Sequence, residues 1–172
     1  MAVFTSFDDF VDSTLGQTIG QGECWDYINL LWDYLGGVYY TYPPSDPSST
    51  NHGVKWGWIN TEARSANTIN HLTQVPNLTD VKRGDIVVTS GGTYGHAGYA
   101  KDDYNGTGFL QLYSQNFNGV RYVTLDTNNM STFVGAWRYD AWQPPVPPTP
   151  TPTSNRESNF PWVLYARKLR SK

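Results

Sequence analysis

Apolar positions follow two different rhythms along the chain. Phe4, Phe7, Phe10 and Val11 recur at helical spacing, with Ser6 or Asp8 available near the start, and predict a short helix within residues 1–19. Ile28, Leu31, Trp32 and Leu35 repeat at intervals of three and four, so a second, amphipathic helix is expected between Gly20 and Leu35, ended by Gly36-Gly37. Residues 60–71 read as a third short helix, broken at Val75-Pro76-Asn77. Beyond that point the rhythm changes to short alternating runs bounded by glycine and asparagine. Ile86–Thr89, Gly95–Ala100, Phe109–Ser114, Arg121–Leu125 and Trp137–Tyr139 are the strands expected of an antiparallel meander. Helices first and strands afterwards predict an α+β fold in which N-terminal helices pack on an antiparallel β-sheet. Residues 38–58, with Pro43, Pro44 and Pro47, form a long irregular loop between the second and third helices. Its Tyr39, Tyr40, Tyr42, Trp56 and Trp58 are placed either to line a groove or to pack over the core.

Composition divides the chain further. At Gln143 it changes abruptly to Pro144-Pro145-Val146-Pro147-Pro148-Thr149-Pro150, a polyproline-II spacer, so the expected units are a domain over 1–142, a Pro/Thr-rich linker over 143–153 and a basic tail over 154–172. The formal net charge is −3, and it is unevenly spread: residues 1–142 carry 7 Lys and Arg against 14 Asp and Glu, residues 143–172 carry 5 against 1. An acidic body without a dense basic face excludes a nucleic-acid binder. No apolar run is long enough to span a bilayer, and the N-terminal residues do not resemble a signal peptide. A single cysteine excludes an internal disulfide and leaves a free thiol to explain.

That thiol, Cys24, heads the second helix. Unsatisfied backbone N–H groups and the positive end of the helix dipole favour a thiolate there, and the thiolate is the nucleophile. A buried, inert cysteine is the alternative. Of the three histidines, His52 lies in the Pro/Ser loop and His71 at the end of a polar helical stretch. His96 stands in a predicted strand among Gly95, Ala97 and Gly98, whose small side chains leave an imidazole room. The third member of such a site accepts a hydrogen bond from the far imidazole nitrogen, and Ser114-Gln115-Asn116, at the end of the next strand, offers Asn116. The order Cys24, His96, Asn116 is that of papain-like hydrolases.

Taken together and in order, Gly22-Glu23-Cys24-Trp25-Asp26, Arg83-Gly84-Asp85-Ile86-Val87-Val88, Gly95-His96-Ala97-Gly98-Tyr99 and Ser114-Gln115-Asn116-Phe117 resemble a CHAP domain over about residues 4–142. These cysteine, histidine-dependent amidohydrolases/peptidases act on bacterial peptidoglycan. The resemblance implies a papain-like fold, with Cys24 as nucleophile, His96 as base and Asn116 as orienting group. Trp25, Tyr94 and Gln115 are the expected substrate contacts. The chain departs from the family at Glu23, where Gln is common before the cysteine, and at Ser114, where many members carry Glu. Some phage members bind calcium through an acidic loop ahead of the cysteine. Here only Asp26 is readily matched, so no metal or other cofactor is expected.

The implied activity is cleavage of an amide bond in the wall peptide, with an endopeptidase favoured over an N-acetylmuramoyl-L-alanine amidase. The implied setting is a phage endolysin or virion-associated lysin, in the virion tail or in the host cytoplasm before release to the wall. Residues 154–172 are then available to bind virion tail proteins. A non-catalytic wall-binding module and a cysteine hydrolase of another amide are the alternatives.

Overall fold

The computed structural model describes residues 4–34 and 72–142. The predicted loop over 38–58, the predicted helix over 60–71, His52, His71, the glycines after the second helix, the linker and the tail lie outside the described residues.

Helix α1 spans Phe7–Thr14. Ser6 is its N-cap: the hydroxyl accepts from the Asp9 backbone N–H at 3.1 Å, satisfying one of the donors that a helix start leaves free. Phe7, Phe10, Val11 and Thr14 face inward. Helix α2 spans Cys24–Tyr34, so the cysteine is its first residue, and Ile28 and Leu31 are fully buried.

Six strands follow: β1 (Leu72–Val75), β2 (Ile86–Thr89), β3 (His96–Ala100), β4 (Phe109–Ser114), β5 (Thr124–Asn129) and β6 (Phe133–Tyr139). They form one sheet in the order β1-β6-β2-β3-β4-β5, and every pairing is antiparallel. This is the expected α+β architecture, with two corrections to its strands. β1, a four-residue edge strand paired only to β6, was not expected because Val75-Pro76 reads as a break. The strand expected at Arg121–Leu125 begins three residues later and runs to Asn129. It is the other edge of the sheet, and its sequence Thr-Leu-Asp-Thr-Asn-Asn has no apolar alternation to mark it, as suits an edge left to solvent.

Alternation along the strands sorts the core into two layers. Ile86, Val88, Ala97, Tyr99 and Trp137 face the helices and pack with Phe10, Tyr27, Ile28 and Leu31. Val87, Ala100, Leu110, Leu112 and Ala136 point to the other face, where Val75, Val81 and Met130 cover them. The helix-side layer is strongly aromatic. Phe10 stacks on Tyr27 with ring centroids 5.3 Å apart, and Tyr99 meets both rings at 5.0 and 4.9 Å. Their hydroxyls are not wasted: Thr14 Oγ1 lies 2.9 Å from the Tyr27 hydroxyl, and the Tyr99 hydroxyl donates to the Tyr27 carbonyl at 3.3 Å. Among the described residues, this part of the chain's aromatic richness serves packing.

At one end of the sheet, before β2, Asp85 is completely buried. Its carboxylate accepts from the Lys82 N–H at 2.8 Å and from Arg138 Nε and Nη2 at 2.9 and 2.8 Å. Burial pushes the Asp85 carboxyl above its ordinary value, and the Arg138 guanidinium and the Lys82 N–H oppose that rise. At the other end, between β2 and β3, the chain turns through Gly91-Gly92 to reach His96.

Candidate active site

Cys24, at the head of α2, is brought against β3. Its side chain packs on the helix-side core that includes Ala97, and the backbone N–H groups of Ala97 and Trp25 act on the thiol in the direction that favours its ionisation. Cys24 is thus packed against the strand that carries His96. No hydrogen bond joins the sulfur directly to the imidazole among the described residues.

Burial opposes the expected thiolate preference. Burial, the largest influence, pushes the Cys24 thiol up to about 11, the nearby Glu23 carboxylate adds to the rise, and the backbone N–H groups oppose it without prevailing. Burial likewise lowers His96 to about 4. Both shifts favour the uncharged form of their group.

The loop that delivers Cys24 is fixed by two buried side chains. Asp26 Oδ2 accepts from the backbone N–H of Gln21 at 2.9 Å and of Glu23 at 3.1 Å. Gln115, fully buried, donates from Nε2 to the carbonyls of Ile19 and Glu23 at 2.9 and 2.6 Å and accepts from the Ile19 N–H at 3.1 Å. Within the loop, Gly22 has φ +82°, and a Cβ there would lie 2.8 Å from the Arg121 carbonyl oxygen, so only glycine fits.

His96 is held from the sheet. Its Nε2 lies 3.0 Å from Ser114 Oγ, and Ser114 Oγ donates to Asp126 Oδ2 at 2.8 Å. Phe117 packs against the imidazole with ring centroids 5.3 Å apart. Strand register explains the row: Leu112 pairs with Asp126 and Ser114 with Thr124, so Ser114 and Asp126 share a face of the β4–β5 ribbon on a diagonal. Gly98 lets β3 come close enough. A Cβ on it would meet the Ser114 Cβ and the Tyr113 carbonyl oxygen, both at 2.8 Å.

Asn116, the expected orienting group, is turned elsewhere. Its φ of +61° takes the chain out of the extended strand just after Ser114, and its amide Nδ2 donates to the Glu23 carboxylate, which also pairs with Arg121. The His96 contact falls to Ser114, two residues earlier. Two of the expected substrate contacts are likewise placed in the scaffold: Trp25 is buried in the helix-side core and Gln115 ties down the loop. Tyr94 is 55% exposed just ahead of β3, where a substrate can reach it. Asp126 and Arg121 belong to the site and were not anticipated from the sequence. A recess of about 340 Å³ lined by Asp102, Asp103, Asn105, Thr107 and Phe109 lies at the opposite end of β4 from Ser114, away from this chemistry.

Among the described residues no three His, Cys, Asp or Glu side chains converge as a metal site, and no helix is long and apolar enough to cross a membrane.

Fold and site together define a class: an α+β protein with a cysteine at a helix start set against the histidine-bearing strand of an antiparallel sheet. A solved protein of the same fold is a wild type endolysin, LysIME-EF1, which superposes with a TM-score of 0.52 over 78% of this chain and 64% of that one, at 17% identity. The chain thus spans less than two thirds of that endolysin's length. Crystal structures of Ly7917, alone and with the hydrolyzing product of MDP, superpose at TM-scores of 0.46 and 0.47, each at 19% identity over 76% of this chain and 60% of that one. No protein-family model matches the sequence, and no curated protein matches it.

Proposed function

We propose that the protein is a peptidoglycan hydrolase of the CHAP type that cleaves an amide bond in the wall peptide, an endopeptidase in preference to an N-acetylmuramoyl-L-alanine amidase. The observation that carries this reading is the placement of Cys24 at the first residue of α2, packed against β3, the strand whose first residue is His96. The fold shared with an endolysin supports it.

In this reading the thiol attacks the amide carbonyl carbon as its proton passes to the imidazole, so that charge separates only when substrate is in place. The sulfur–carbon bond forms and the carbonyl becomes an oxyanion, held by backbone N–H groups at the start of α2. The imidazolium returns its proton to the departing amine, leaving a thioester. Water, deprotonated by the same imidazole, then hydrolyses the thioester and restores the thiol. The aromatic loop over 38–58 is assigned to the groove on sequence grounds alone.

The test is clearing of purified Gram-positive walls by the full chain and by Cys24→Ala, with mass spectrometry of the fragments. Clearing by the wild type alone is expected, with new termini that name the bond; unchanged clearing by Cys24→Ala overturns the mechanism. The rise of the thiol pKa to about 11 favours one second reading, a wall-binding module without catalysis. Wall binding by the wild type with no release of fragments from any wall would select it.

A further inference from the structure

A histidine can serve as a base only through the nitrogen that carries no proton, and the hydrogen bond made by the other nitrogen decides which that is. For His96 that bond goes to Ser114 Oγ, a group with one proton to give. Ser114 gives that proton to the Asp126 carboxylate, which can only accept. Ser114 must therefore accept from His96.

We propose that Ser114 and Asp126 act as a two-residue positioning relay that fixes His96 as the Nε2–H tautomer and leaves Nδ1 as the basic atom. Asp126 orients the Ser114 hydroxyl, Ser114 orients the ring, and Phe117 packs on its flank. A carboxylate thus governs the imidazole at one remove, across a hydroxyl, although no carboxylate touches the ring. Both residues are placed by strand register, Ser114 at the end of β4 and Asp126 diagonally across on β5, rather than by a flexible loop. Asn116, committed to Glu23, has no part in it.

The catalytic use of the relay rests on the hydrolase reading given above, where the proton leaving sulfur arrives at Nδ1 while Nε2–H stays bonded to Ser114. The ring charge so created faces the Asp126 carboxylate through the hydroxyl, which lowers the cost of forming it. The tautomer itself does not depend on that reading.

The experiment is two-bond ¹H–¹⁵N correlation of the imidazole nitrogens in the full chain, with His96 assigned by comparison with His96→Gln. The expected wild-type pattern is Nε2–H. Ser114→Ala and Asp126→Asn are expected to give a mixture of tautomers, and Asn116→Ala to leave the pattern unchanged. In wall hydrolysis, the first two variants are expected to lose kcat by at least about tenfold at nearly constant KM, as wrong-tautomer variants of such triads do. Asp126 lies on an edge strand, so Asp126→Asn provides the result if Ser114→Ala does not fold. An Nδ1–H tautomer in the wild type overturns the relay, as does a pattern unmoved by both substitutions. If the tautomer responds while wild type cleaves no wall, the relay stands and the hydrolase reading falls.

Discussion

The two ends of the sheet hold their buried polar groups in opposite ways. At the β2 entry, Asp85 is completely enclosed and its carboxylate is saturated by Arg138 and the Lys82 N–H. At the other end, His96 is bonded through one nitrogen to Ser114 while the second nitrogen has no hydrogen-bond partner among the described residues. The first network is closed and has nothing left to offer a ligand. The second is open on one side, the side that the proposed mechanism gives to the reacting proton. Both groups are shifted chiefly by burial, so desolvation does not by itself distinguish a structural group from a reactive one. What distinguishes them is whether every hydrogen-bonding position is already taken.

The largest effect is expected from breaking the closed end. Asp85→Ala deprives the partly buried Arg138 guanidinium of its carboxylate and the Lys82 N–H of its acceptor, and unfolding measurements should show a loss of about 3 kcal/mol. The His96 tautomer should survive wherever the variant remains folded; if it changes, the two ends are not separate. A smaller effect tests the open end by pH. His96 is at about 4 when folded and near 6.5 when unfolded, so below pH 6.5 the unfolded chain takes up a proton that the folded chain refuses. Stability should therefore fall as pH drops from 6.5 towards 4, by up to about 3 kcal/mol from this group, and His96→Gln should remove that part of the slope. An identical slope in both proteins would mean that the imidazole is hydrated. The smallest effect concerns the thiol. Glu23→Gln removes a negative charge that holds the Cys24 pKa up, so alkylation by iodoacetamide near neutral pH should quicken, by less than about tenfold because burial remains the larger influence. A slower reaction would show that the Asn116–Glu23–Arg121 cluster matters more for shaping the loop than for its charge.

Much of this arrangement was legible in the sequence where local pattern and packing agree. The stripe containing Ile28 and Leu31 placed Cys24 at a helix start, and the small residues around His96 pointed to close strand approach, which Gly98 provides. The misses have physical causes. β5 is a polar edge strand, so periodicity did not show that Asp126 shares a face with Ser114. Asn116 was expected to come near His96 from the end of the strand, but its left-handed backbone turns it to Glu23. The helix dipole predicts a thiolate only for an exposed helix start; how deeply Cys24 is buried depends on the whole fold.

Three consecutive residues at the end of β4 each hold a different part of the site. Ser114 touches His96, Gln115 lashes down the loop before Cys24, and Asn116 holds the side chain of Glu23, the residue preceding that cysteine. The segment thus works like a cam whose lobes are set on one shaft. Slipping it by one residue would displace the supports of His96 and of the Cys24 loop in the same stroke, so an inserted or deleted residue near Ser114 should disrupt the site outright instead of weakening it by degrees. Transplanting the site onto another scaffold would require residues 114–116 to move together with the loop at 19–24, as one piece.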